Sequence, residues 1–357
     1  ARDGEVPPSA KLLALSDVIL SVDQVQQYMD DDKHRWHVDS ELNTGVIFFR
    51  NSAGALAVLE EWADEMKTAI MKGDPNHDQY WLNGVLRPRD FADLKRDEAA
   101  RTAWLPAVLN AAHGSAAAPV GLPRTAAAFN EGLRVDEKLR ATYLFKKRFG
   151  RNATAVVLGT FPIAQVSNGH TFFVQKLHEI VNVPPVAVHT TYQYGDATVY
   201  AYGKRQRLRD EHLWLMDGPE YFQGNFLQLV TAPARLLGPD RAEMLLPEVE
   251  MGDSLHCVRA HQRLSALQRQ WLQDAFLLAQ ATKRTLVLPP IWCVLDRFWT
   301  ILNKCLIGSK VEMAQPFICP LDHSFDLPAM YGAQLQWREH SFLTNPRAPP
   351  ELTSSSL

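Results

Sequence analysis

The sequence predicts an α/β fold in which strands alternate with helices around a largely parallel sheet. Three observations carry that expectation. Short β-type runs recur at 155–159, 185–189 and 285–289, and stretches with apolar residues three and four apart lie between them at 172–181 and 265–282. Alternation of the two periods is the pattern of a parallel sheet covered by helices. At 357 residues, 46% hydrophobic and 22% charged, the chain has enough apolar material for one large α/β unit or two closely packed lobes.

The first element is Val18-Ile19-Leu20-Ser21-Val22, a short strand leading to Asp23. A polar stretch with Asp30-Asp31-Asp32 follows, and then Leu42 to Arg50, which reads as a buried strand entered through Gly45, with residues 45–50 as its body. Asn51-Ser52 is a helix start. From it Leu56, Leu59, Trp62, Met66 and Ile70 recur at three and four, predicting a helix over 53–72 that turns Leu59, Trp62 and Met66 inward. Gly73-Asp74-Pro75 stops it, and a second helix begins near Asp78. Residues 99–128 are rich in Ala, Gly and Pro, which places a connector at 99–150 between a lobe at 1–98 and a second at 151–330, with 331–357 as a tail. Strands are expected at 155–160, 186–190 and 285–289.

With 37 basic against 40 acidic residues, the charge gives no reason to expect nucleic acid or an anionic membrane surface as partner. No apolar run approaches the roughly 18 to 20 residues needed to cross a bilayer. The first residues carry neither an initiator Met nor a signal-peptide pattern, so a membrane anchor is expected in a part of the protein upstream of this chain. Cys257, Cys293, Cys305 and Cys319 fit no zinc spacing; one disulfide in an oxidising lumen and buried free thiols both remain open. Asn152-Ala153-Thr154 is a formal glycosylation acceptor. The chain has no Gly-rich phosphate loop, no G-x-S-x-G elbow and no H-E-x-x-H, so kinase, α/β-hydrolase and zincin chemistry find no support.

Two motifs stand at a distance that lets them work together. Asn43-Thr44-Gly45 opens a strand, and Gly45 lets a ligand approach the backbone while Asn43 offers a donor and an acceptor. His77-Asp78-Gln79-Tyr80-Trp81-Leu82-Asn83 opens a helix, with Gln79 and Asn83 four apart on one face and Asp78 beside them. A carboxylate and two amides converging on one spot suit the hydroxyls of a sugar. Read from spacing alone, Asp78 as a helix cap and Asn43 as a turn residue are the favoured explanation of the motifs.

Ser21-Val22-Asp23-Gln24, Leu42-Asn43-Thr44-Gly45-Val46 and Asp78-Gln79-x-x-Leu82-Asn83 resemble successive blocks of the nucleotide-diphospho-sugar transferase domain of family 77 glycosyltransferases. Downstream, Asn168 to Gln175, His189-Thr190-Thr191-Tyr192-Gln193, Gly203 to Arg209, Arg284 to Pro290 and Cys319-Pro320-Leu321-Asp322-His323 are similar to blocks of extensin (hydroxyproline) arabinosyltransferases, in the same order over roughly 13–330. The resemblance implies an N-terminally incomplete GT-A-like, Rossmann-like fold whose donor-binding lobe is 1–98. It also implies a type II membrane protein facing the Golgi lumen. The reaction implied is transfer of L-arabinofuranose from a UDP donor to arabinosides on a hydroxyproline-rich glycoprotein, with retention of configuration. Asp78 and Gln79 would then lie under the sugar as catalytic residues. Asp23, Asn43, Gly45, Asn83, His170, Gln175, His189 and Gln193 would contact donor or acceptor, around one cleft with His323 on its rim. Such folds hold Mn²⁺ or Mg²⁺ against the donor diphosphate with a D-x-D pair at a strand end. The family's D-x-D precedes the Ser-x-Asp block, where this chain has almost nothing, and Asp30-Asp31-Asp32 reads as a solvated turn. Catalysis by this chain alone is therefore not expected. His323 is the metal-ligand candidate that remains, with a histidine bonded inside a turn as its alternative. Lys204, Arg205, Arg207 and Arg209 are the densest basic run. As a strand, 205, 207 and 209 would share a face and grip phosphate oxygens. The reading of another class is a non-catalytic glycan-binding protein that keeps the fold.

Overall fold

The structure, a computed structural model, describes residues 16–23, 42–86, 145–149, 154–161, 163–180, 182, 184–229, 254–293, 296 and 317–354. They fall into two compact units, one within Ala1–Phe172 and Lys176–His189, the other within Phe173–Gln175 and Thr190–Leu357. The Asp30-Asp31-Asp32 turn, Asn152 and most of the 99–150 connector lie outside the described residues.

The first unit is built on β1 (Val18–Val22), whose five residues are all buried. A run apolar at almost every position is what a strand covered on both faces requires. Its neighbours are β2 (Leu42–Phe49) on one side and β4 (Thr154–Thr160) on the other, with β3 (Phe145–Phe149) outside β4, giving the order β2-β1-β4-β3. Only β1 and β4 run parallel; β2 on β1 and β3 on β4 are antiparallel, so the expected largely parallel sheet is here a mixed one. Because β3 and β4 join the sheet of β1, the first unit continues past the connector, and the division near residue 99 does not describe these contacts. A separate parallel pair, β5 (Val166–Asn168) and β6 (Ala187–His189), sets Asn168 opposite His189.

Helix α1 (Ala53–Met71) starts where the sequence places it: the Ser52 hydroxyl accepts from the Ala55 N–H at 3.2 Å. Its inward face differs from the expected one. Gly54, Ala55, Ala57, Val58 and Ala69 are buried, whereas Leu59, Trp62 and Met66 are half-buried and Leu56 and Ile70 are 56% and 73% exposed. Small residues let the helix approach the sheet closely, and the larger side chains are left to fill its margins. Helix α2 (Asp78–Leu86) buries Leu82, Asn83, Val85 and Leu86; Leu82, Val85 and Leu86 join the same core as Val18, Leu20 and Val58.

Across the expected helix at 172–181 the chain instead makes a π-helical turn at His170–Val174 and a short helix α3 (Leu177–Ile180), broken at Lys176, whose φ is 53°.

The second unit holds α4 (Tyr202–Asp210), β7 (Phe226–Gln228), the long α5 (Ser254–Ala281) and β8 (Thr285–Val287), then β9 (Trp292–Cys293), β10 (Phe317–Ile318), α6 (Leu321–Ser324), α7 (Leu327–Gly332), β11 (Trp337–Arg338) and α8 (Pro350–Ser354). Strands β11-β8-β7 form an all-parallel sheet. Leu272, Ala275 and Ala279 of α5 pack with Leu286, Leu288, Leu327 and Trp337. Among the described residues no helix is long and apolar enough to cross a membrane.

Two features of this unit carry measurable stability. Cys293 and Cys319 form a disulfide across the β9–β10 pair, with Cα atoms 5.6 Å apart. For this pair the alternative left open by the sequence is decided in favour of the bond. Cys305 and the side chain of Cys257 lie outside the described residues. With a sequence separation of 26, the bridged cysteines are expected to contribute roughly 3 kcal/mol through the unfolded chain. Replacing both with Ala should lower a denaturation midpoint accordingly; a midpoint indifferent to dithiothreitol would speak against the bond.

The second feature is Glu339, 1% exposed, whose carboxylate accepts from the Tyr221 hydroxyl at 2.5 Å. The Tyr221 ring is sandwiched between the guanidinium groups of Arg209 at 4.3 Å and Arg338 at 4.0 Å. Burial pushes the Glu339 carboxyl above its ordinary 4.5. A carboxyl raised on folding holds its proton longer in the folded chain, so its contribution is complete below about 4.5 and is lost as pH rises through the folded value. Glu339→Gln should flatten that part of the stability–pH curve; an unchanged slope would remove Glu339 as its source.

Candidate active site in the first unit

The site grows out of an irregularity in the ladder between β1 and β2. Leu20 pairs with Ile47, but the next residue, Ser21, pairs with Asn43, so Thr44, Gly45 and Val46 are pushed out of register. Their three N–H groups lose strand partners, and each is met by a side chain. Thr44 N donates to Gln79 Oε1 at 3.2 Å, Gly45 N to Asn43 Oδ1 at 2.6 Å, and Val46 N to the Ser21 hydroxyl at 3.3 Å. The bulge is therefore written into Ser21, Asn43 and Gln79.

The same amides converge on one carboxylate. Asn43 Nδ2 donates to both oxygens of Asp23, at 2.9 and 3.0 Å, and Gln79 Nε2 donates to Asp23 Oδ2 at 3.0 Å. Asp23 stands just past the carboxyl end of β1 and is half-exposed, where strand ends of α/β folds gather their ligands. Asn83 anchors the arrangement from below: its Nδ2 donates to Leu42 O at 2.7 Å and to Gln79 O at 2.8 Å, and its Oδ1 accepts from Leu42 N at 2.9 Å. Buried and committed to backbone, Asn83 positions the site rather than touching a ligand.

The expected meeting of Asp78 with Gln79 and Asn83 takes a different form. Asp78 is exposed, and its backbone carbonyl accepts from the Trp62 indole at 3.1 Å; the carboxylate bonded to the two amides is Asp23. The signal for this was present in the sequence, since Ser21 and Asp23, two apart on a strand, face the same side. His170 is buried in the π-helical turn, its N–H bonded to Asn168 Oδ1 at 3.1 Å, and Asn168 Nδ2 reaches Val22 O at 3.4 Å. The space above Gly45 is taken by the imidazole of His189, which occupies the place where a Cβ would stand.

The remaining candidates lie in the second unit. The basic run is the helix α4, not a strand, so 205, 207 and 209 do not share a face. Arg207 is buried: its Nε donates to both oxygens of Asp322 at 3.0 Å, and its Nη2 lies 2.9 Å from Oδ2, with both side chains at 0% exposure. Tyr194 N donates to the same carboxylate at 2.9 Å. Arg207 is thus an internal ion pair, and phosphate binding is not open to it in this arrangement. Arg209 pairs with Asp217. Arg205 lies against the rings of Tyr200, Tyr331 and Tyr202 at 4.5, 4.8 and 5.5 Å, and Lys204 is half-buried. Gln193 Nε2 donates to Asp196 at 2.6 Å, and Gln175 is buried. His323, buried in α6, sets Nδ1 3.8 Å from Asp296 Oδ1 and its ring edge-on to Tyr194. No motif marked Asp296.

Residues 10–208, more than half of the chain and all of the Asp23 network, match the model of the nucleotide-diphospho-sugar transferase family. The chain belongs to that family. Over 354 residues it is 29% identical to arabinosyltransferase XEG113 of Arabidopsis thaliana, covering 96% of this chain and 44% of that protein. It therefore spans less than half the length of this curated relative. No solved structure matches it.

For a nucleotide-diphospho-sugar transferase the fit of a divalent cation matters. His323 and Asp296 are two candidate ligands, and among the described residues no group of three or more His, Cys, Asp or Glu stands ready to hold a metal ion. The described residues do not by themselves make a cation site, and no chemistry of this transferase is derived through one.

Asp322→Asn tests the role of Arg207. It should strand a buried guanidinium and destabilise the fold by roughly 3–5 kcal/mol, with Arg207→Met in the same chain recovering part of the loss. A denaturation midpoint near the native one, with nucleotide binding lost, would return Arg207 to the phosphate-binding set.

Proposed function

We propose that the chain is the catalytic part of a retaining arabinosyltransferase with a GT-A-like fold, acting in the Golgi lumen. The observation that carries this reading is the Asp23 carboxylate held by Asn43 and Gln79 at the end of β1, in a chain of the nucleotide-diphospho-sugar transferase family. The relative's name supplies the class of sugar to be tested, an arabinosyl group; the resemblance of the sequence blocks extends the proposal to L-arabinofuranose carried by UDP and passed to arabinosides on a hydroxyproline-rich glycoprotein. The buried Cys293–Cys319 disulfide supports an oxidising lumen, in a type II protein anchored through a segment upstream.

In the transfer, the bond between the anomeric carbon and the diphosphate oxygen breaks while an acceptor hydroxyl oxygen bonds to that carbon on the same face, its proton passing to the departing diphosphate oxygen. Positive charge grows on the sugar ring. Asp23 offers a fixed negative charge for it, held in place before the reaction by amide donors rather than by water. The Gln79 amide has a second N–H for a sugar hydroxyl.

The test uses the complete enzyme. Asp23→Asn keeps shape and most hydrogen bonding, and turnover should fall by roughly 10², about 2.7 kcal/mol of barrier. Asp78→Asn, on the exposed start of α2, should lose less than about tenfold. The opposite ranking would restore Asp78 as the catalytic carboxylate. Normal turnover in both variants would point to a glycan-binding fold or to another site.

A further inference from the structure

Helix α2 carries an exposed face that the Asp23 network does not use. Tyr80, Trp81 and Gly84 stand at i, i+1 and i+4, so they share one side of the helix. The Tyr80 ring is 49% exposed and meets the half-buried Trp81 ring edge-on, with centroids 5.3 Å apart and planes at 86°. Gly84, one turn on, is exposed, and a Cβ built on it would meet no described atom within 4 Å. Neither crowding nor a left-handed backbone asks for glycine there. Inside a helix it is less favourable than almost any other residue. Its effect is to leave the two rings bare, because a side chain at 84 would lean back over the preceding turn, toward Tyr80 and Trp81. The Trp81 indole N–H is a second cost on the same face. It is closed off from solvent and has no hydrogen-bond partner among the described residues, whereas Trp62 gives its N–H to the Asp78 carbonyl at 3.1 Å.

We infer that Tyr80, Trp81 and Gly84 form a stacking shelf for the sugar of the acceptor. The inference rests on the transferase reading and adds the second substrate to it. A sugar ring has a face of C–H groups and a rim of hydroxyls; a flat, exposed tyrosine ring takes the face and leaves the rim to polar groups and water. Because the two aromatic planes stand at a right angle, they make a corner that suits one ring rather than a broad protein surface. Gln79, the residue before Tyr80, donates to Asp23 at 3.0 Å, so the shelf starts one residue from the network that faces the donor sugar. Trp62, packed against the core, pins the start of the helix and keeps shelf and network in fixed relation.

Steady-state kinetics of the complete enzyme test it, with arabinotriose as acceptor and the melting temperature read alongside. Gly84→Leu replaces glycine by a strong helix former, so it should melt no lower than the native enzyme while its side chain covers the rings. Its KM for the acceptor should rise roughly tenfold, with the KM for the sugar nucleotide within about twofold of native. Tyr80→Ala should show the same split, and Tyr80→Phe, which keeps the flat ring, should restore most of the acceptor affinity. A Gly84→Leu enzyme with native acceptor KM would overturn the shelf and leave Gly84 an ordinary surface position. Equal losses for donor and acceptor in Tyr80→Ala would overturn it too, since the ring would then act through Gln79. If the native enzyme transfers no sugar, the transferase reading fails, and calorimetric titration with arabinotriose decides the shelf by itself. Binding that Gly84→Leu abolishes supports it; binding that survives the substitution, or no binding at all, overturns it.

Discussion

Everything recognisable as a site in the first unit depends on three backbone N–H groups that the sheet does not satisfy. A ladder that ran in register through Ser21 would leave no need for Asn43 or Gln79. Once Thr44, Gly45 and Val46 leave the ladder, their donors need new partners, and a donor cut off from water without one would cost on the order of 1–3 kcal/mol. The side chains that meet this need come from three places: Ser21 on β1, Asn43 on β2 and Gln79 on α2. Having been drawn together for backbone reasons, Asn43 and Gln79 each still have amide hydrogens to donate, and these fall on Asp23. The carboxylate–amide network is a by-product of how the strand is kept whole.

The second unit solves a different problem. Its α4 helix carries a dense positive charge and yet buries Arg207 completely. A charge at that depth is tolerable only with a partner of opposite sign and matched geometry, and the two oxygens of Asp322 supply both. The pairing fixes more than the helix. Asp322 also takes the N–H of Tyr194 and sits one residue before His323, on the turn that follows the disulfide-bonded Cys319. One carboxylate thereby orders a helix, a loop and the histidine that sequence reasoning singled out.

The legible parts of the sequence were those set by neighbours along the chain. The Ser52 cap, the strand at Val18–Val22 and the helix start at Asp78 could all be read from a few residues. Strand boundaries near β4, β6 and β8 fell within a residue or two for the same reason. The parts that could not be read depend on distance in sequence. Gln79 meets Asp23 across 56 residues and Arg207 meets Asp322 across 115, and no spacing rule encodes either. Helix α4 was not legible because its buried positions are Gly203, Gln206 and Arg207, so apolar periodicity had nothing to report. For α1 the period was right and the face right only in part: Trp62 packs against the core, but small alanines, which hydropathy weights lightly, form the buried contact.

Asn83 has a meaning beyond the site. Among the described residues β2 is the outermost strand on its side of the sheet, and the outer backbone of such a strand is an invitation for another extended chain to pair with it. At Leu42 that invitation is withdrawn, because the Asn83 carboxamide takes the N–H and the C=O together and imitates the strand that would otherwise dock. A single side chain on a helix thus closes the open end of a sheet. The shielded residue stands next to Asn43, so the edge is covered where the backbone is about to leave the ladder.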